Sequence, residues 1–368
     1  MIDPRVQKLA QVVVHYSTAV KPGERVQIVG TPASQPLLRE VYREVLRAGA
    51  HPVVRMRFSD QEYLYYLEAG DAELDYLDPL LLHEVENIDV SIRAFPDENP
   101  HALTSVDAQK KQRRLRANKP LTERFIQRWG EGRLRWVGTA YPTEALAQEA
   151  HMSLDEYADF VFEAGRLDAE NPADYWKEVS ARQQKICDCL NQCSTIRYRG
   201  LDTDLTFSCQ GRTWMNCDGK VNFPDGEVFT GPVEDSVNGT IRFTFPGIYQ
   251  GQEVEDIFLR FKAGKVVEAR AAKGQELLRK LLETDAGASY VGEIAIGTNH
   301  QIRRFTKNML FDEKMGGTIH LAIGMGIPGS GSKNASALHW DMLKDMRDGG
   351  EIHADGVLIY KNGQFVRP

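Results

Sequence analysis

The stretch Arg25-Val26-Gln27-Ile28-Val29-Gly30, followed by residues 35–48 and then His51-Pro52-Val53-Val54-Arg55-Met56-Arg57-Phe58, decides the fold. The first piece is a short apolar strand closed by glycine. Residues 35–48 carry apolar side chains at helical spacing and stop at Gly49, a helix-ending residue. The third piece reads as a strand again. Strands that alternate with helices predict a mostly parallel, doubly wound sheet.

The alternation continues on both sides. Residues 6–20 read as a helix ended by Lys21-Pro22-Gly23. Residues 87–94 and 133–139 read as further strands, and Pro142-Thr143-Glu144-Ala145 can open a helix. Residues 174–191 form one long helix, after which the pattern changes. Residues 195–199, 204–208, 240–245, 254–262 and 266–271 are short strands, with a turn at Ala263-Gly264 and a helix at 275–283. That is hairpin-rich, antiparallel chemistry. The expected fold is therefore α/β and α+β. An N-terminal α/β domain (1–185) has a doubly wound, mostly parallel sheet with flanking helices, and a mainly antiparallel β domain (186–368) follows. The boundary is expected within 180–195.

At 368 residues the chain is long enough for two domains, and 42% apolar residues can fill their cores without staples. A metal here would serve chemistry more than folding. A net charge of −7 argues against a general nucleic-acid binder. No run of 18 apolar residues is present, so no membrane span is expected. The first residues lack the apolar segment of a signal peptide, and the five cysteines all lie between Cys187 and Cys217. They read as reduced thiols, and the expected compartment is the cytoplasm. Cys187, Cys189 and Cys193 have no second pair to complete a zinc site and read as core thiols. The run Lys110-Lys111-Gln112-Arg113-Arg114-Leu115-Arg116 reads as a solvated helix face.

Chemistry-bearing residues concentrate in the C-terminal half. Glu227 follows Pro224-Asp225-Gly226, turn chemistry that projects it from the start of a strand. Glu293 lies in the apolar run Gly292-Glu293-Ile294-Ala295-Ile296-Gly297, where a lone carboxylate is costly unless paired or metal-bound. His320 stands in a buried-looking strand, Thr318-Ile319-His320-Leu321-Ala322-Ile323-Gly324, with Glu313 just upstream. His339 and Asp341 are two apart, so on a strand they share a face and can converge on one ion. Taken singly, each has an ordinary structural explanation: a hydrogen-bonded core histidine or a solvated acid. Their combination is what suggests a metal site, and at this level both readings stay open.

Several segments together resemble the aminopeptidase T family, which includes the staphylococcal and streptococcal aminopeptidases S. They are Phe223-Pro224-Asp225-Gly226-Glu227-Val228-Phe229-Thr230-Gly231-Pro232, Gly292-Glu293-Ile294-Ala295, Leu310-Phe311-Asp312-Glu313-Lys314, His320-Leu321-Ala322-Ile323-Gly324 and Ser336-Ala337-Leu338-His339-Trp340-Asp341-Met342. Met152-Ser153-Leu154-Asp155-Glu156-Tyr157 and residues 354–363 extend the likeness over the chain. The resemblance implies a metal-dependent aminopeptidase acting on peptides with a free N-terminus. It also implies two divalent ions, such as zinc or cobalt, and a homodimer. By motif, the implied ligands are Glu227, Glu293, Glu313, His320, His339 and Asp341, with Glu293 bridging the ions; Glu313, as a carboxylate near the metals, is the candidate proton carrier. One position departs. Where family members commonly carry Gly-Tyr-Pro, this chain has Gly326-Ile327-Pro328, and isoleucine cannot donate a hydrogen bond. The polar run 329–334 that follows reads as flexible, with Lys333 as an alternative donor.

Two competing functions follow from the same residues. His320, His339 and Asp341 are the set a mononuclear iron(II) ring-cleaving dioxygenase would use, but three glutamates would then have no task. The other is a metal-binding family member with reduced activity. Gly324-Met325-Gly326-Ile327-Pro328-Gly329 matches a dinucleotide fingerprint in letters only, because proline and a Gly/Ser run follow it where a helix should open. Ser336, His339 and Asp341 lie within six residues and lack a nucleophile elbow, so they are no serine triad.

Overall fold

The computed structural model describes residues 3–367. The chain forms two compact units. The first comprises 1–173 and a short return, 219–224, and the second comprises 174–218 and 225–368.

The first unit is built on a parallel sheet in the order His51–Met56, Arg25–Gly30, Val90–Phe95, Arg135–Ala140, Asn222–Phe223. Its central strands bury Val26, Ile28, Val90, Ile92 and Val137. The helix Gln35–Arg47 buries Leu37, Leu38, Val41 and Val45, which recur at helical spacing. The expected first helix runs Pro4–Gln11 and then widens into a π-helical segment, Val12–Ser17. Thr18 closes it, its amide and hydroxyl both donating to the Val13 carbonyl. The basic run lies on the helix Ala108–Ala117, which buries no residue.

In the second unit, eight antiparallel strands form one sheet and five form another. The five-stranded sheet has the order His339–Asp345, Thr318–Gly324, Val291–Gly297, Glu227–Thr230, Met215–Cys217. Both sheets feed one core. Ile196, Tyr198, Leu205, Phe207, Ile241 and Leu259 come from the larger, and Val228, Ile294, Ile296, Ile319, Leu321, Ile323, Trp340 and Met342 from the smaller. The stretch 254–262, expected as one strand, is broken. Val254 ends a small hairpin with Gly247–Tyr249, Asp256 takes a positive φ of 58°, and pairing resumes at Phe258. Asp256 there accepts a forked ion pair from Arg242, which holds the break. The cysteines are free thiols, and burial pushes Cys187 and Cys209 up to about 12. No helix among the described residues is long and apolar enough to cross a membrane.

Candidate metal centre

Strand alternation decides which side chains meet. In the five-stranded sheet the core takes Val228, Ile294, Ile296, Ile319, Leu321, Ile323, Trp340 and Met342. The alternating positions Glu227, Glu293, His320, His339 and Asp341 therefore project from the opposite face. Register then groups them. Ala322 pairs with Glu293 on one side and with Asp341 on the other, and Gly324 pairs with His339. A methyl group between two carboxylates leaves room for what they converge on.

Glu293 reaches this face through a bulge. The ladder slips between Val291 and Glu293, so Val291 and Ile294 both enter the core while Glu293 stays outside it. Gly292 makes the slip possible. A Cβ there would stand 2.3 Å from the Met325 carbonyl oxygen and 2.4 Å from that of Gly324. Glu227 is set by the turn before it, where Gly226 has φ +125° and Asn299 donates to the Asp225 carbonyl. Glu313 and Lys314 arrive on the segment after the short helix Met309–Asp312. That segment packs against Gly297, whose missing Cβ would lie 2.1 Å from the Met315 carbonyl oxygen.

The result is a dense, buried array. Glu293 places one oxygen 3.6 Å from His320 Nε2 and the other 3.5 Å from His339 Nε2. His320 Nε2 also lies 3.3 Å from Glu227, and His339 Nε2 lies 3.5 Å from Asp341. The ligand atoms of Glu293, His339 and Asp341 lie within 4.8 Å of one another, as do those of Glu313, His320 and Asp341. A third group of this kind, Cys217 with Asp225 and Glu227, adjoins them. Sequence reading had treated Asp225 as turn chemistry only and had assigned no role to Lys314. Lys314 is wholly buried, with Nζ 3.4 Å from Glu227 and in contact with Glu313. A cation in an otherwise apolar and acidic segment was the available signal for it.

The electrostatics are those of charges drawn together out of water. Burial raises Glu227 to about 8 against the pull of Lys314, and burial also raises Glu293. For the histidines burial works against protonation, but the carboxylates outweigh it. His320 rises to about 9 beside Glu293 and Glu227, and His339 to about 10 beside Asp341. Asp341 is lowered, since the bond from His339 overcomes its burial. Glu227 Oε2, Asp341 Oδ1 and His320 Nδ1 are buried with no hydrogen-bond partner among the described residues. Orphaned buried carboxylate oxygens are costly, and a cation in their midst would satisfy them. Carboxylate oxygens with imidazole nitrogens are also the donor set that divalent zinc or cobalt accepts, so the residues fit such an ion.

The loop after Gly324 is tied down, not loose. Gly326 donates to the Asn334 carbonyl, and the Lys333 amide donates to Glu234, which also pairs with Arg212. Ile327 lies at the head of its short 3-10 turn, Pro328–Ser330.

Acids and histidines grouped in this way form a donor set that could hold a divalent ion. A sequence model of the thermophilic metalloprotease (M29) family matches residues 2–365, and the chain belongs to that family of peptide hydrolases. Aminopeptidase 2 of Geobacillus stearothermophilus is 27% identical, covering 96% of this chain and 91% of that protein. Aminopeptidase AmpS of Bacillus subtilis (strain 168) is also 27% identical, covering 99% of this chain and 100% of that protein. Among solved structures, wild-type AmpT from Thermus thermophilus superposes with a TM-score of 0.86 over 100% of both chains at 23% identity, which shows the shared fold.

Proposed function

We propose that the protein is an aminopeptidase. It would release N-terminal residues from peptides with two divalent ions, such as zinc or cobalt, held by Glu227, Glu293, Glu313, His320, His339 and Asp341. The observation that carries this reading is Glu293, whose two oxygens face the Nε2 atoms of two different imidazoles. A carboxylate so placed suits two neighbouring ions. The relatives matched over nearly their whole length are named aminopeptidases, which supports the exopeptidase reading.

Bound divalent ions would supply Lewis acidity, lowering the pKa of a water toward neutrality and polarising the scissile carbonyl. The chain's own residues do the rest. Glu293 fixes the spacing of the two halves. Glu313 is the most accessible of the carboxylates, its side chain 19% exposed against 7% for Glu227. That exposure suits it to carry a proton from the attacking water to the leaving amine. The buried carboxylates favour a cationic α-amino group, which would confine cleavage to the peptide's first bond. Ile327 brings no hydroxyl to the reaction. The glutamates crowded around both histidines give the mononuclear dioxygenase reading no support.

Glu293→Gln tests the proposal. Hydrolysis of aminoacyl anilides should fall at least a thousandfold while the circular dichroism spectrum and unfolding midpoint stay near wild type. Wild-type turnover in the variant would place the site elsewhere.

A further inference from the structure

Lys314 is a cation within the centre that the aminopeptidase reading leaves without a task. Its side chain is 0% exposed. Its backbone is fixed on both sides, the amide donating to the Phe311 carbonyl and the carbonyl accepting from Asn299 N at 3.0 Å each. It cannot swing to solvent without undoing that segment. Nζ bridges the acids, 3.4 Å from Glu227 Oε1 and touching Glu313 Oε1. Two of the six proposed ligands thus already share a cation that belongs to the chain.

We propose that Lys314 is a built-in cation that makes the two halves of the metal centre unequal. The half formed by Glu293, His339 and Asp341 takes a divalent ion tightly, and the half that includes Glu227 and Glu313 takes a second ion only weakly. The inference rests on the metal-centre reading above.

The reasoning is one of charge and space. Carboxylate oxygens bind a zinc-sized ion at about 2.0–2.2 Å. An ion ligated by the oxygens that Lys314 touches would lie within a few ångströms of Nζ. At that distance, in a site screened from water, a divalent ion and an ammonium repel strongly. An ion that takes the oxygens Lys314 touches must loosen the lysine from them, and one held through Glu227 Oε2 still faces the ammonium on the same carboxylate's other oxygen. In the other half the ion pairs of Glu293 and Asp341 run to the imidazoles of His320 and His339, whereas those of Lys314 run to Glu227 and Glu313.

The experiment is a Co²⁺ titration of the metal-free, full-length protein by calorimetry, with metal content per chain measured after dialysis. Wild type should bind one equivalent tightly and a second at least tenfold more weakly. Lys314→Met should tighten the second event at least tenfold, and Lys314→Arg, which keeps the cation, should retain the unequal pattern. Two equally tight equivalents in wild type would overturn the inference, whether or not Lys314→Met folds. A second event unchanged or weakened in folded Lys314→Met would do the same. Glu293→Gln separates the two readings. If wild type binds no Co²⁺, or Glu293→Gln binds it as wild type does, the metal centre itself is misassigned. If binding depends on Glu293 but the two ions are equivalent, only the role of Lys314 falls.

Discussion

The Nδ1 of His339 lies 2.8 Å from the carbonyl oxygen of Met325. A carbonyl can only accept, so Nδ1 must carry the hydrogen and donate it. In the neutral ring Nε2 is then the bare nitrogen, and it is Nε2 that faces Glu293 and Asp341. A second hydrogen bond that fixes tautomer and ring plane is the usual partner of a metal-ligating histidine.

His339→Ala should cost metal affinity. It should also cost the metal-free protein some stability near neutral pH, because the imidazole pairs with Asp341 and Glu293. Affinity for Co²⁺ should fall by at least about 100-fold, since even outer-sphere partners are worth about 10- to 100-fold. Calorimetric titration reads both events. Unchanged affinity would remove His339 from the ligand set.

The bulge at Gly292 yields a second prediction. An alanine methyl there would press on two backbone carbonyls, of Met325 and Gly324, which cannot turn aside as a flexible side chain could. Gly292→Ala should destabilise the protein by about 1–3 kcal/mol in urea unfolding. It should also lower kcat, because the neighbouring Glu293 moves with the strand. A variant with wild-type unfolding and turnover would mean that the bulge does not set the position of Glu293.

How much of this could be read in the sequence depended on whether one strand's period was enough. Glu293 and His320 stood out because a single polar residue in an apolar strand breaks a two-residue alternation visible in the letters. The His339 and Asp341 pair followed from the same period. The parallel sheet was legible for a related reason, since each strand and helix carries its own apolar pattern. What stayed hidden depends on pairing between distant segments. The slip at Gly292 exists only against the strand Thr318–Gly324. The pairing of Asn222–Phe223 with Arg135–Ala140 is two residues long, too short for any period. Lys314 drew no role, because nothing local says that Gly297 lets the chain pack down on that segment.

Asp312, two residues before that lysine, is a wholly buried acid and gives the last prediction. Burial raises it to about 8, against hydrogen bonds from the amide and hydroxyl of Thr306 and the amide of Lys307, with the charge of Glu313 adding to the rise. The folded protein thus keeps this proton up to about pH 8, whereas the unfolded chain releases it near 3.8. Between those values the folded state binds more protons than the unfolded one, so this group's contribution to stability falls as pH rises. Asparagine is uncharged throughout and keeps an oxygen for Thr306. Asp312→Asn should therefore gain stability over wild type as pH increases, the difference growing by about 2–4 kcal/mol between pH 5 and pH 8. Urea unfolding of both proteins at the two pH values measures it. A difference that stays constant with pH would show that Asp312 is already ionised in the folded protein, its charge held by partners stronger than Thr306.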